Sequence, residues 1–265
     1  MTPPLGSGVV HVTSRDNPLM KELRALARDG AAYRKTRRIW IEGEHLCEAF
    51  SAKGLQPDVG VFSESNWQLA GVKTAQTAIK TIVIPDAMMA EISTLDSAAG
   101  MGFVCSLPPT AALNPTQSTV VLDRLQDPGN VGSILRSAAA FGFRQVLALK
   151  GTVALYAPKV LRAGMGAHFS LALHEAGSSA QLDALQGALA VTSSHQGEYL
   201  HQLLQSRKLP LLTHWALGHE GQGVSPELLA RAGLQLRIAQ PGGEESLNVA
   251  AAAAICLHAA ASAAL

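Results

Sequence analysis

Three stretches carry polar side chains and glycines in arrangements that suit chemistry. In Asn130-Val131-Gly132-Ser133-Ile134-Leu135-Arg136, Gly132 and Arg136 are four apart and share one helical face. A helical glycine costs about 0.5–1 kcal/mol relative to alanine, so it asks for a reason. One reason is room for a substrate against the guanidinium; the other is close helix–sheet packing beside a surface arginine. Gly218-His219-Glu220-Gly221-Gln222-Gly223 follows an apolar run and places one carboxylate among three glycines. That is the composition of a ligand cradle, or of a flexible surface loop. The run Leu236-Arg237-Ile238-Ala239-Gln240-Pro241-Gly242-Gly243-Glu244-Glu245-Ser246-Leu247-Asn248-Val249 reads as strand, glycine turn and helix start. Such a junction is where α/β proteins place ligands. Glu244, Glu245 and Ser246 suit the first turn or cap of that helix.

A fourth stretch, Arg162-Ala163-Gly164-Met165-Gly166-Ala167, allows close backbone approach or ends a helix. Other chemistries are disfavoured. His195, His201, His214 and His219 form no metalloprotease or triad pattern, and no GxSxG elbow is present. Cys47, Cys105 and Cys256 are far apart, which fits a reducing cytoplasm and neither a disulfide framework nor a zinc site.

The elements that must position these residues alternate between strand and helix. In residues 8–107, strands are expected at 9–12, 39–41, 59–63, 81–84 and 102–107. Asn17-Pro18 opens a helix with Leu19, Leu23, Leu26 and Ala27 on its apolar face. The opposite face is basic: Arg15, Lys21, Arg24, Arg28, Arg34, Lys35, Arg37 and Arg38 stand against Asp16, Glu22 and Asp29. Such an excess suits a phosphate backbone or a solvated face. Residues 108–118, PPTAALNPTQS, read as a linker. Residues 119–265 then carry strands at 119–123, 146–149, 171–174, 190–193, 209–217 and 234–239. Helices are expected after Asn130, taken as an N-cap, and at 157–163, 179–189, 226–232 and 247–263. This pattern predicts a parallel sheet covered on both faces. The net charge of +1 gives no global field for nucleic acid. The alanine-rich tail is short for a membrane span, and the N-terminus has no signal pattern.

Taken together, NVGSILR, RAGMGA, GHEGQG and the run 238–249 resemble the three motifs of the SpoU (TrmH-like) RNA ribose 2′-O-methyltransferases of the SPOUT class, in the family's order. The segments SRDNPLMKELRAL and WIEGEHLCEA resemble the L30e-like RNA-binding domain often fused ahead of it. The resemblance implies an α/β fold with a C-terminal SPOUT domain, a parallel sheet and a trefoil knot, preceded by the small L30e-like domain. It implies S-adenosylmethionine as cofactor, an RNA substrate (ribosomal, or alternatively transfer RNA), a homodimer, no metal and no membrane. It places Asn130, Arg136, Glu220, Ser246 and Asn248 at the catalytic centre. Gly218, Ile238, Leu247 and Thr192 fall to the cofactor, and Arg15, Lys21, Arg34 and Arg37 to RNA. Two departures stand out. Ala239-Gln240 replaces the family's frequent Pro-Met, and Arg162-Ala163-Gly164 replaces a Lys-Ala-Ser-like start. They leave open an inactive RNA-binding dimer of the same fold. A guanidinium stays charged, so Arg136 is expected to hold a phosphate or stabilise developing negative charge rather than act as base. Ser246 and Asn248 are expected to orient it, and Glu220 to pair with it.

Overall fold

The computed structural model describes residues 9–75, 78–193, 196–243 and 246–264 and, of residues 70–75, the backbone alone. His195, Glu244 and Glu245 lie outside the described residues. The chain divides into two compact units, Met1–Pro109 with Tyr156–Phe169, and Thr110–Leu155 with Ser170–Leu265. The first boundary falls inside the stretch expected as linker. Beyond it, the chain is already tied into the second unit. The Gln145 amide accepts from Asn114 N–H at 2.9 Å and donates to the carbonyls of Asn114 and Gln117 at 2.9 and 3.0 Å.

In the first unit, strands β1 (Val10–His11), β2 (Arg38–Glu42), β3 (Val59–Ser63), β4 (Lys80–Ile84) and β5 (Met101–Ser106) form one sheet in the order β1-β4-β3-β5-β2. β5 runs antiparallel to both its neighbours, and the other pairs are parallel. The helices are α1 (Pro18–Arg28), α2 (Ala32–Thr36), α3 (Glu44–Ser51), α4 (Glu64–Ala75) and α5 (Asp86–Ile92). Asn17 caps α1, accepting from Leu19 N–H at 2.9 Å. α1 buries Met20, Leu23, Leu26 and Ala27, so Met20 rather than Leu19 completes its apolar face. Much of the basic run is neutralised within this unit. Arg15 and Arg24 pair with Glu91, Lys21 with Asp16 at 3.6 Å, and Arg38 with Glu22 at 2.8 Å.

The second unit is a seven-stranded, all-parallel sheet in the order β10-β12-β9-β11-β6-β7-β8. Its strands are β6 (Thr119–Asp123), β7 (Gln145–Leu149), β8 (Ala172–Gly177), β9 (Ala188–Thr192), β10 (Glu198–Tyr199), β11 (Thr213–Gly218) and β12 (Leu234–Arg237). The helices are α6 (Pro128–Ala140), α8 (Leu200–Gln205), α9 (Pro226–Arg231) and α10 (Val249–Ala263). Val121, Leu147, Val191, Ala216 and Leu228 belong to its core. Because every strand runs the same way, the loops after β6, β9, β11 and β12 open at one edge, the ligand edge of such sheets.

Three expectations are corrected here. The segment 179–189 is not one helix: a 3-10 turn (Ser179–Ala184) precedes β9. The helix after β6 starts earlier than expected. Asp127 is its N-cap and accepts from Asn130 N–H at 2.7 Å, because Pro128 sits well in a first turn. The last helix starts later, at Val249, with Asn248 as cap.

Helix α7 (Pro158–Gly164) belongs to the first unit, although the sequence assigned it to the second domain. The residues flanking it pack there: Tyr156 lies 5.6 Å from Tyr33 and Phe169 lies 5.0 Å from Phe50, ring centre to ring centre.

Candidate active site

β11 ends at Gly218, paired with Asp123 at the end of β6. The following loop turns back at once. A Cβ on Gly218 would stand 2.2 Å from Gly223 C and from Val224 N, so only glycine admits this return. The loop closes on itself through Gly223 N–H to His219 C=O at 2.8 Å, and Nδ1 of His219 accepts from Gly221 N–H at 3.0 Å.

Glu220 projects from this loop to the start of α6. Its carboxylate accepts from the N–H groups of Gln126 and Asp127 at 3.3 and 3.2 Å, and from Asn130 Nδ2 at 3.2 Å. Partial burial pushes its carboxyl pKa up. Hydrogen bonds from its own backbone, from Asn130, and from the backbones of Asp127 and Gln126 outweigh this and hold it below the usual value. A carboxylate at a helix N-terminus is also favoured by the helix dipole. Glu220 is thus an ionised tie between two loops.

Asn130, relieved of capping by Asp127, has its side chain free to bridge. Its Oδ1 accepts from Asn248 Nδ2 at 2.9 Å while its Nδ2 donates to Glu220. Asn248 in turn caps α10, accepting from Ala250 and Ala251 N–H at 2.9 and 3.2 Å. One chain of hydrogen bonds therefore runs from the β11 loop through the start of α6 to the start of α10.

Beside this chain lies a cavity of about 650 Å³. Thr192, Gly218, Ile238 and Leu247, the expected cofactor contacts, all line it. Glu220, Ser246 and Asn248 complete its polar wall. The volume falls in the usual range for small-molecule sites, roughly 300–1,000 Å³. The walls come from the ends of β9 and β11 and from the stretches that follow β11 and β12. The cavity therefore fits a nucleoside-sized cofactor such as S-adenosylmethionine. Gln240, one of the departures from the family pattern, also lines it.

Arg136 stands apart. It lies six residues beyond Asn130, which on an α-helix is roughly 9 Å along the axis and on a different face. It is exposed, does not line the cavity, and has no hydrogen-bond or ion-pair partner among the described residues. The expected orientation of Arg136 by Ser246 and Asn248, and its pairing with Glu220, are not found: Asn248 bonds Asn130, and Glu220 is occupied at the start of α6. The RAGMGA stretch is not at the cavity either. Met165 and Gly166 take positive φ, and a Cβ on Gly166 would stand 2.7 Å from Ala49 Cβ, so its small residues serve packing against α3.

Sequence reasoning missed Asp123, Arg124 and Gln126. Asp123 is buried, accepts from Ser225 N–H at 2.6 Å, and pairs with Arg124 Nε at 3.1 Å. The only hint was a charged pair, Asp123-Arg124, closing an otherwise apolar strand.

Among the described residues no group of His, Cys, Asp and Glu could hold a metal ion, and no helix is long and apolar enough to cross a membrane. The SpoU rRNA Methylase family model matches residues 117–258. The chain belongs to this family. It is accordingly an RNA methyltransferase that uses S-adenosylmethionine. The chain is 29% identical to the 23S rRNA (guanosine(2553)-2′-O)-methyltransferase RlmP of Bacillus subtilis, covering 84% of this chain and 88% of the relative. It is 33% identical to an uncharacterised tRNA/rRNA methyltransferase of Synechocystis, covering 96% and 94%. Among solved structures, an S-adenosylmethionine-bound rRNA methyltransferase from Sinorhizobium meliloti superposes with a TM-score of 0.80 at 25% identity, covering 95% of this chain and 97% of that one. An RNA 2′-O ribose methyltransferase does so with a TM-score of 0.76 at 28% identity, covering 95% and 98%.

Proposed function

We propose that this protein methylates the 2′-hydroxyl of a ribose in ribosomal RNA, with the methyl donor held in the cavity walled by Thr192, Gly218, Ile238 and Leu247. The observation that carries this reading is the chain Glu220–Asn130–Asn248 standing against that cavity. When bound, S-adenosylmethionine supplies a methyl group on a cationic sulfur, already a strong electrophile. What remains for the protein is to align the sugar oxygen on the methyl carbon and to let the hydroxyl proton leave to solvent. Alignment alone is worth up to about 7–11 kcal/mol in favourable cases. Ser246 and Asn248 form the polar wall on which the ribose rests. Glu220 does not serve as the base, because its pKa is held low and its oxygens are occupied. Arg136, exposed and unpaired among the described residues, meets the phosphate next to the target ribose and so holds the RNA strand in place. A 2′-hydroxyl occurs in RNA and not in DNA, so the reaction itself selects the polymer.

The same reading includes a homodimer, a C-terminal trefoil knot and an L30e-like first unit that binds RNA. An apolar groove of Phe141, Leu200, Leu204, Ala254, Ile255 and His258 supports the dimer, since a second copy would cover Ile255, which is 42% exposed. The mixed five-stranded sheet and Arg34 and Lys35 of α2 support the role of the first unit.

The deciding experiment maps ribose methylation across all cellular RNA with and without this protein, alongside transfer of labelled methyl to purified RNA. Loss of one ribosomal position on deletion is the expected result. Loss confined to transfer RNA would redirect the substrate, and no transfer to any RNA would leave the inactive RNA-binding dimer.

A further inference from the structure

Arg124 follows β6 at φ +60, a left-handed conformation that costs a non-glycine residue free energy. The chain keeps an arginine there, and its side chain spans a gap no glycine could bridge. Nε donates to buried Asp123 at 3.1 Å, Nη1 to Gln222 Oε1 at 3.0 Å, and Nη2 approaches Gly223 C=O at 3.5 Å. The left-handed backbone is itself held on both sides: Arg124 N–H donates to Thr152 Oγ1 at 3.0 Å, and its C=O accepts from Gln126 Nε2 at 3.2 Å. Asp123 meanwhile fixes the far end of the same loop through Ser225 N–H at 2.6 Å. Gln222 and Gly223, the residues Arg124 holds, are part of the cavity wall.

We infer that Arg124 is a positioning residue that clamps the Gly218–Gly223 loop in the shape that binds the methyl donor, its guanidinium bracing the loop from Asp123. The inference rests on the reading of this cavity as the donor pocket. A guanidinium fork suits the task because it directs several donors at fixed angles, which a lysine ammonium does not. The backbone strain at Arg124 is therefore tolerated in exchange for a rigid pocket wall. Without the clamp, the loop keeps its internal His219–Gly223 bond, the Glu220 tie to α6 and the Asp123–Ser225 bond, but Gln222 and Gly223 lose their hold on Arg124.

The test is calorimetry with S-adenosylmethionine on the full chain, with thermal unfolding measured in parallel. Gly218→Val is the control for the pocket itself, since a side chain there collides with the returning loop. Arg124→Gly removes the clamp and relieves the strained φ. It is expected to weaken donor binding about tenfold, equivalent to about 1.4 kcal/mol, without lowering Tm. In steady state, donor KM is expected to rise while kcat at saturating donor holds. Arg124→Lys restores binding only in part, and Gln222→Ala added to Arg124→Gly weakens it no further. Should Arg124→Gly unfold, Gln222→Ala alone tests the same bond from the other side. Unchanged donor affinity in Arg124→Gly and in Gln222→Ala, where Gly218→Val abolishes binding, would overturn the clamp. Unchanged affinity in Gly218→Val would instead overturn the pocket reading beneath it.

Discussion

Asn248 Nδ2 donates to Asn130 Oδ1 at 2.9 Å, joining the first turns of two helices whose residues lie 118 positions apart in sequence. Each asparagine does a second job: Asn248 caps α10, and Asn130 holds Glu220. The two functions of Asn248 separate by substitution. Asn248→Asp keeps an oxygen to cap the helix but loses the Nδ2 donor and faces the Asn130 carbonyl oxygen with charge. We expect it to retain thermal stability yet lose at least tenfold in methyl transfer. Asn248→Ala loses both, with a stability cost of about 1 kcal/mol, the usual worth of an N-cap. Equal activity in Asn248→Asp and the unsubstituted protein would show that the bridge is packing alone.

Arg136 is exposed and has no partner among the described residues. Its substitution should therefore leave folding almost untouched, within about 0.5 kcal/mol as for surface positions generally. Donor affinity should be unchanged as well, because the residue does not line the cavity. Activity should fall about 10²-fold, the scale of a misplaced substrate. Arg136→Lys should recover little, since a lysine meets a phosphate as a point charge rather than a fork. Normal transfer by Arg136→Ala, assayed with native ribosomal RNA, would remove the residue from the active centre.

Why the sequence revealed the pocket wall but not its bracing has a physical explanation. Gly218, Ile238 and Leu247 lie within stretches whose order and residue types resemble the SpoU motifs, and it is that resemblance that pointed to them. The parallel sheet was legible in uninterrupted apolar strands such as Thr119–Asp123. Arg124 and Gln126 act through partners some 25 to 99 residues away, and nothing local marks such contacts. The N-cap of α6 was misplaced because both Asp127 and Asn130 are good caps. The proline between them decided in favour of Asp127. Arg136 illustrates the opposite limit. Its place in a motif was legible, but the motif does not say what a side chain touches.

Acid should destabilise the second unit before carboxylates titrate. His214 is buried, with Nδ1 accepting from Thr119 N–H at 3.2 Å and Nε2 directed at Gln186 C=O at 2.5 Å, an arrangement that fits the neutral ring. Burial lowers its pKa against a smaller opposing effect of the Gln186 carbonyl, and burial likewise lowers that of His174. A histidine with a folded pKa below its unfolded value binds more protons when unfolded. Its stabilising effect is therefore complete above about pH 6.5 and is lost as pH falls through the folded value. Glu220, also lowered, adds a second loss below the ordinary carboxylate range. Urea unfolding should show stability declining from about pH 6.5 downward, by at most about 1.4 kcal/mol per pH unit for each histidine. His174→Gln should flatten that first decline, and stability independent of pH from 7 to 5 would contradict the assignment.

The apolar groove offers the remaining test. Ile255 lies on the outward side of α10, whose inner side buries Ala253, Cys256 and Leu257. Phe141 and His258 stack edge to face at 5.3 Å in the same groove. A charge at position 255 leaves the inner packing intact but makes a self-complementary face pay for desolvating two carboxylates at once, since a two-fold contact repeats every substitution. Sedimentation should therefore show a dimer for the unsubstituted protein and a folded monomer for Ile255→Asp. Because the cavity lies within one chain, the monomer should still bind S-adenosylmethionine; because RNA would meet both copies, methyl transfer should fall more than donor binding. A monomeric unsubstituted protein at micromolar concentration, or an Ile255→Asp variant that stays dimeric, would rule out this groove as the contact.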